Sequence, residues 1–339
     1  MRNVWAELPK PLIYMAPMSG VTNLAYRKIV KHFGADIVFP EFVSTYALHY
    51  NSAKTIDMLR YEEVERPIIA QIFGSEPEYF REAAKMVVDM GFDGVDINFG
   101  CPAPKVAKNG GGCALLGDLP RSRAIIEATL EAVEGKVPVS VKTRVSYRDT
   151  HVREFAHLIK DLPLANLCIH GRPFEKAYVG AANLDCIKEV KQIVPFMVTA
   201  SGNAHTPEAA KHTLDYTGAD GVALARATFG RPWIGKQIRD YLNTGTYQEP
   251  TFAEVLDVMR LHAKFVEEMC AGYEDVQRPF IEMRKVLGWY VHGIPGASQF
   301  RAELVRVSSL DEVDTILERI RTTTTPELLH APIAHPKSY

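Results

Sequence analysis

A short loop, Asn98-Phe99-Gly100-Cys101-Pro102, is the sharpest chemical feature of this 339-residue chain. Gly and Pro fix the backbone around a thiol, so Cys101 is presented at the end of an apolar run. A thiol placed there can serve as nucleophile, proton donor or packing. The other cysteines, Cys113, Cys168, Cys186 and Cys270, make no C-x-x-C pair, which weakens a dithiol role and argues against a structural metal site. Polar residues recur at the ends of other apolar runs: Pro17 and Met18 after Ala16, then Gln71, Lys142, His170 with Arg172, Ser201-Gly202-Asn203, and Arg226. Each has a plain reading, since a Gln or Asn caps turns and a lone His is more often a satisfied core group. Lys142 on an apolar run is harder to explain that way, because an unpaired buried ammonium is costly. Recurrence at the same end of successive runs is better explained by one bound polar cofactor.

The elements that must carry these residues follow from periodicity. The runs LIYMA from Leu12, DIVFP from Asp36, IIAQI from Ile68, GVDIN from Gly94, VSVKT from Val139, LCIH from Leu167, FMVTA from Phe196 and GVAL from Gly221 read as strands. Helical segments separate them. Ser75-Glu76-Pro77-Glu78 has the pattern of a capping box, with Gly91 as the stop, and Thr206-Pro207 opens a helix that Gly218 closes. Repeated strand–helix units predict an α/β fold, a (β/α)8 TIM barrel, in which chemistry sits at the C-terminal ends of the strands. A doubly wound sheet is the alternative, but no G-x-G-x-x-G follows the first run. From about Thr251 only helical periodicity remains, which divides the chain into a barrel (1–245), a smaller all-helical unit (251–325) and a loose tail (326–339).

Within a barrel, the turns after the seventh and eighth strands form the usual phosphate site, here Gly202-Asn203 and Ala225-Arg226. Gln71, Lys142 and His170 would ring the mouth, where a flat hydrogen-bonding ring system can lie. A lysine beside a flavin's pyrimidine edge would stabilise the anion formed on reduction. Gly110-Gly111-Gly112 lacks the Gly-Lys-Ser/Thr of a nucleotide loop and reads as a mobile lid. Lys+Arg number 39 against 41 Asp+Glu, so total charge does not announce a nucleic-acid binder, although a local basic face can still act as one. No signal peptide or membrane span is read, and the expectation is a reduced, cytoplasmic protein with no membrane association and no obligate protein partner.

The chain resembles the tRNA-dihydrouridine synthases. The resemblance rests on APMSGVTNLAYR (from Ala16), AQIFGSEP (Ala70), GVDINFGCPAPKVAKNGGGCALL (Gly94), VSVKTRVS (Val139), IHGRP (Ile169), SGNAHTPEAA (Ser201), GADGVALARATFGRPW (Gly218) and RPFIEMRKVLGWYVHGIPGASQFR (Arg278). It implies FMN as cofactor and NADPH as reductant, with NADH as an alternative. Pro17 and Met18 would line the flavin, Gln71, Lys142 and His170 would bond its ring system, and Gly202, Asn203, Ala225 and Arg226 would hold its phosphate. Asn98 would orient the uracil, Lys105 and Arg172 would help grip the tRNA substrate, and Cys101 would protonate C5 after hydride reaches C6. A uridine must be swung out of its stack for this chemistry.

Two departures stand out: the family's phosphate loop usually reads Gly-Arg where this chain has Ala225-Arg226, and its strand-seven turn usually ends Asn-Gly-Asp where this chain has Ser201-Gly202-Asn203-Ala204. In the helical unit, Arg278, Arg284, Lys285, Arg301 and Arg306, with Trp289, Tyr290 and His292, read as a basic aromatic RNA platform. Cutting the chain after Thr251 is therefore expected to spare flavin chemistry and weaken tRNA binding. The alternatives are a dihydroorotate- or dihydropyrimidine-dehydrogenase-like enzyme acting on a free pyrimidine, which needs no helical tRNA unit, and a barrel that only binds RNA.

Overall fold

Runs that are apolar on both faces can be buried only in a sheet covered on both sides, and these runs are rich in Val and Ile. In the computed structural model, which describes residues 3–272, 278–292 and 296–333, they form one parallel sheet of eight strands. These are β1 (Leu12–Met15), β2 (Val43–Ser44), β3 (Ala70–Phe73), β4 (Val95–Phe99), β5 (Val139–Arg144), β6 (Asn166–His170), β7 (Met197–Ser201) and β8 (Gly221–Leu224). β1 pairs with β8, and neighbouring strands then follow in order from β8 to β2.

The run from Asp36 closes the ring. Asp36 N donates to Ile13 O (3.0 Å), Met15 N to Ile37 O (3.1 Å) and Ile69 N to Val38 O (3.1 Å), joining β1 to β3. Pro40 has no N–H to give, and regular pairing resumes only at Val43–Ser44, later than the sequence suggests. The result is the expected barrel.

Helices α1 (Leu24–His32), α2 (Pro77–Asp89), α3 (Leu119–Val133), α4 (Val152–Ile159), α5 (Leu184–Ile193), α6 (Pro207–Thr217) and α7 (Ile234–Thr244) cover the outside of the barrel. Thr206 Oγ1 caps α6 by accepting from Ala209 N (3.2 Å), as its sequence predicts. At α2 the expected box does not form: Glu76 is the N-cap without a side-chain bond, while Pro77 fills the first turn. The barrel interior is packed rather than open, since Trp5 stands edge-on to Tyr14 (5.4 Å between ring centroids) and both rings meet Phe39. The polar mouth therefore lies at the other end.

After Thr251 come α8 (Phe252–Cys270), α9 (Arg278–Tyr290), α10 (Ala297–Leu304), α11 (Leu310–Thr323) and α12 (Pro326–Leu329). A capping box does form at α8, where Thr251 Oγ1 accepts from Glu254 N and the Glu254 carboxylate accepts from Thr251 N (2.7 Å). The tail is corrected in part. Phe252 N donates to Ala331 O (3.1 Å) and Ile333 N to Pro250 O (2.9 Å), so residues 331–333 are pinned beside the start of α8 instead of hanging loose. Residues 334–339 and Gly293-Ile294-Pro295 of the last matching stretch lie outside the described residues. Among the described residues, no helix is long and apolar enough to cross a membrane.

Candidate active site

Strand alternation sends Asp96 and Asn98 of β4 to the same face, and the neighbouring Gln71 of β3 links them. Gln71 Nε2 donates to Asp96 Oδ2 (2.6 Å), and Gln71 Oε1 accepts from Asn98 Nδ2 (2.7 Å). Asn98 Oδ1 then accepts from Gly100 N (3.0 Å) and Cys101 N (2.9 Å). An ionised carboxylate is acceptor-only, so Asp96 dictates which way both amides point. Both backbone donors thereby hold Cys101, half-buried, at the C-terminal end of β4. Burial pushes the Asp96 carboxyl up to about 6, while donors from Ser140 and Gln71 and the charge of Lys142 favour its ionised form.

The neighbouring stretch of the mouth, on β5 and β6, is cationic, and Lys142 stands in register beside Asn98. Lys142, half-buried on β5, makes no hydrogen bond among the described residues, and its charge acts on Asp96, Cys168 and His170. His170 ends β6. Its Nε2 lies 3.2 Å from Arg172 Nη1, a group that can only donate, so the imidazole proton must sit on Nδ1. Burial, aided by Lys142, Arg144, Arg172 and Arg226, pushes the His170 pKa down to about 2, which keeps the ring neutral. Arg172 also donates to Gly180 O (2.7 Å) and Asn203 Oδ1 (2.6 Å), and Arg144 to Gly100 O (2.9 Å) and Ala177 O (2.6 Å). All of these acceptors are neutral, so the two guanidinium charges are left for an anion.

The turn after β7 has the geometry of an anion cradle. Gly202 (φ +102°) and Asn203 (φ +62°) both adopt left-handed conformations, which Gly accepts freely and Asn better than most residues. A Cβ on Gly202 would stand 3.0 Å from His170 Cδ2 and 3.2 Å from Arg172 Nη1. Neither backbone N–H of this pair donates to any group among the described residues. Ala225 and Arg226 follow β8 beside it, with Arg226 over the Tyr178 ring at 5.0 Å. A phosphate needs backbone N–H groups and guanidinium charge, and a flavin ring needs donors such as Lys142 Nζ and His170 Nδ1–H. The residues present fit FMN on both counts.

The remaining sequence candidates divide. Pro17 and Met18 are half-buried just after β1, at the same end of the barrel. Lys105 is exposed on the short helix Pro104–Lys108, beyond the Cys101 loop. The lid reading of the triple glycine is overturned. A Cβ on Gly111 would come within 2.9 Å of Gly74 O, and one on Gly112 within 2.8 Å of Cys101 O. Cys113, Leu115 and Leu116, which follow, are fully buried. These glycines let the chain pack tightly behind the Cys101 loop. Cys113 belongs to that packing, its thiol pushed up to about 12 by burial.

Trp289 and Tyr290 are corrected as well. Trp289 stacks one face on Phe229 of the barrel (3.9 Å, 7°) and is half-buried, while Tyr290 is fully buried and offers no RNA-facing surface. Sequence reasoning missed Asp96, hidden inside a strand run, and Arg144, which ties the Cys101 loop to the loop after β6. Among the described residues no group of three or more His, Cys, Asp or Glu could hold a metal ion.

The neutral imidazoles set an acid limit on stability. His170 and His262, the latter pushed down to about 3 by burial, can charge only in the unfolded chain, where the reference pKa is about 6.5. Their contribution is present above that value and is lost as pH falls below it, down to about 3 for His262 and about 2 for His170. Asp96 works the other way between about 4 and 6, because the folded state holds its proton more tightly. Two groups outweigh one, so the urea midpoint of unfolding is expected to be lower at about pH 5 than at about pH 7. An equal or higher midpoint in acid contradicts the assignment of neutral imidazoles.

Similarity to known proteins agrees with this arrangement. The family profile described as dihydrouridine synthase matches residues 14–325. The chain is 34% identical over 316 residues to a probable tRNA-dihydrouridine synthase 1 of Synechocystis sp., covering 92% of this chain and 86% of that protein. It is 34% identical over 312 residues to tRNA-dihydrouridine synthase B of Shewanella oneidensis, covering 91% and 95% respectively. Among solved structures, histamine dehydrogenase from Rhizobium sp. 4-9 superposes with a TM-score of 0.54 at 14% identity, over 75% of this chain and 48% of that one, a likeness of fold. The catalytic-end loops, the barrel under them and most of the helical unit thus fall within one continuous match, and the chain belongs to the dihydrouridine synthase family.

Proposed function

We propose that this protein reduces the C5–C6 double bond of a uridine in tRNA to 5,6-dihydrouridine, with FMN at the barrel mouth and NADPH as the reductant. The observation that carries the reading is the Asp96–Gln71–Asn98 chain, which holds the Cys101 loop beside a cationic, donor-rich wall. Gly202, Asn203, Ala225 and Arg226 would hold the flavin phosphate, with Pro17, Met18, Gln71, Lys142 and His170 around its ring. Bound there, FMN supplies the hydride that uracil C6 receives. The other steps belong to the protein's own side chains.

Asn98 spends its oxygen on the loop and keeps an N–H free, so it can donate to a uracil carbonyl and orient the extruded base. Arg172, and Lys105 further out, would hold the nucleotide's phosphates. Cys101 gives its proton to C5, completing the reduction as general acid, and solvent returns it. The Arg144 bond to Gly100 O keeps the loop, and with it the sulfur, from swinging away during the transfer.

The purified protein is expected to carry flavin absorption and, given NADPH, to form dihydrouridine in an unmodified tRNA transcript while leaving free uracil and orotate untouched. Turnover of a free pyrimidine with none on tRNA would replace this reading with that of a free-base dehydrogenase.

A further inference from the structure

We propose that the helical unit is a brace for the flavin-phosphate turns, and that Trp289 and Tyr26 are positioning residues for that site. The inference rests on the FMN reading above and goes beyond it. The segment that follows the β8 turn, Arg226 to Trp233, is gripped from several directions. Thr228 Oγ1 donates its single proton to Ala225 O (2.8 Å), so the 2.8 Å contact between Tyr26 and Thr228 must be a hydrogen bond donated by the Tyr26 hydroxyl. Tyr26 in turn stands edge-on to His262 of α8, whose Nδ1 lies 2.9 Å from Tyr290 OH of α9.

One residue further on, Phe229 is stacked flat against Trp289. Gly230 then passes so close to the end of α9 that a Cβ would stand 2.4 Å from Trp289 O, in a backbone already at φ +64°. The grip reaches the second phosphate turn too. Buried Arg231 donates to His205 O (3.2 Å), and His205 N donates to Asn203 O (2.8 Å). Both turns thus hang on a segment that α8 and α9 hold in place. Two aromatic residues that read from sequence as RNA contacts are spent on this contact, whose natural consequence is a fixed phosphate position. The proposal replaces the expectation that a barrel cut after Thr251 keeps its flavin chemistry.

A positioning role predicts a signature that loss of fold does not share. FMN and riboflavin differ by the phosphate alone, so their affinities for the flavin-free full-length protein separate the phosphate turns from the ring site. Titration by flavin fluorescence is expected to show that Trp289→Ala and Tyr26→Phe each lower the FMN-to-riboflavin affinity ratio by about tenfold, within the range of couplings carried through packed side chains. Trp289→Phe, which keeps a flat ring on Phe229, should restore most of the ratio. Tyr26→Phe removes one hydroxyl and keeps the ring packing, so it decides the matter if Trp289→Ala does not fold. An unchanged ratio in Tyr26→Phe overturns the proposal, whether both affinities persist or both fall together. Wild-type protein that binds neither flavin would instead remove the FMN reading itself, and the brace with it.

Discussion

Cys101→Ala is expected to leave flavin binding intact and to lower dihydrouridine formation by about 10²- to 10⁴-fold, the usual contribution of a positioned proton donor. Asn98 holds the loop through the backbone N–H groups of Gly100 and Cys101, and alanine keeps both. Arg144 holds it through a carbonyl that alanine also keeps. The substitution therefore removes the acid without moving its support. Rates of dihydrouridine formation in tRNA, measured beside flavin content, check this directly. Full activity in the variant would take the proton-donor role away from Cys101.

The second large effect is on stability. Arg27 and Glu65 are paired at 1% and 0% side-chain exposure, and Arg27 also donates to Thr22 O (2.8 Å) and Arg60 O (2.7 Å). Arg27→Met leaves the Glu65 carboxylate buried without its cation and strips two carbonyls of a donor. The expected loss is about 3–5 kcal/mol, read from the urea midpoint and slope. Adding Glu65→Leu to that variant should regain part of the loss, because it removes the stranded charge. A single variant as stable as the wild type would mean that the pair contributes nothing to the fold. The effect reaches the site, since the Thr22 carbonyl that Arg27 holds belongs to the turn following Pro17 and Met18, where Val21 N and Thr22 N both donate to Met18 O (3.1 Å each).

Much of this architecture was legible in the residues themselves. Period and composition locate the apolar runs, and barrel geometry then places Gln71, Lys142, His170 and Gly202 at one end. The Cys101 loop needed only its Gly and Pro to stand out. What stayed hidden depended on partners far along the chain. Asp96 looks like any residue inside GVDIN until Gln71 and Ser140 are brought beside it. Gly111 and Gly112 read as freedom, whereas neighbouring backbone makes them a requirement for close packing. Trp289 and Tyr290 show aromatic character on a basic helix, and helical periodicity cannot say whether a ring meets a base or Phe229. The run from Asp36 was legible as a strand; the individual bonds by which it joins the strands on either side were not.

A single-turnover reaction tests the central claim most directly. Flavin-loaded protein is reduced with NADPH, freed of excess reductant without oxygen, and mixed with a tRNA transcript. The account predicts that the flavin is reoxidised mole for mole with dihydrouridine appearing in the tRNA, and that Cys101→Ala stalls both. Flavin that stays reduced in the presence of that tRNA, or that is reoxidised with no dihydrouridine formed, would contradict it.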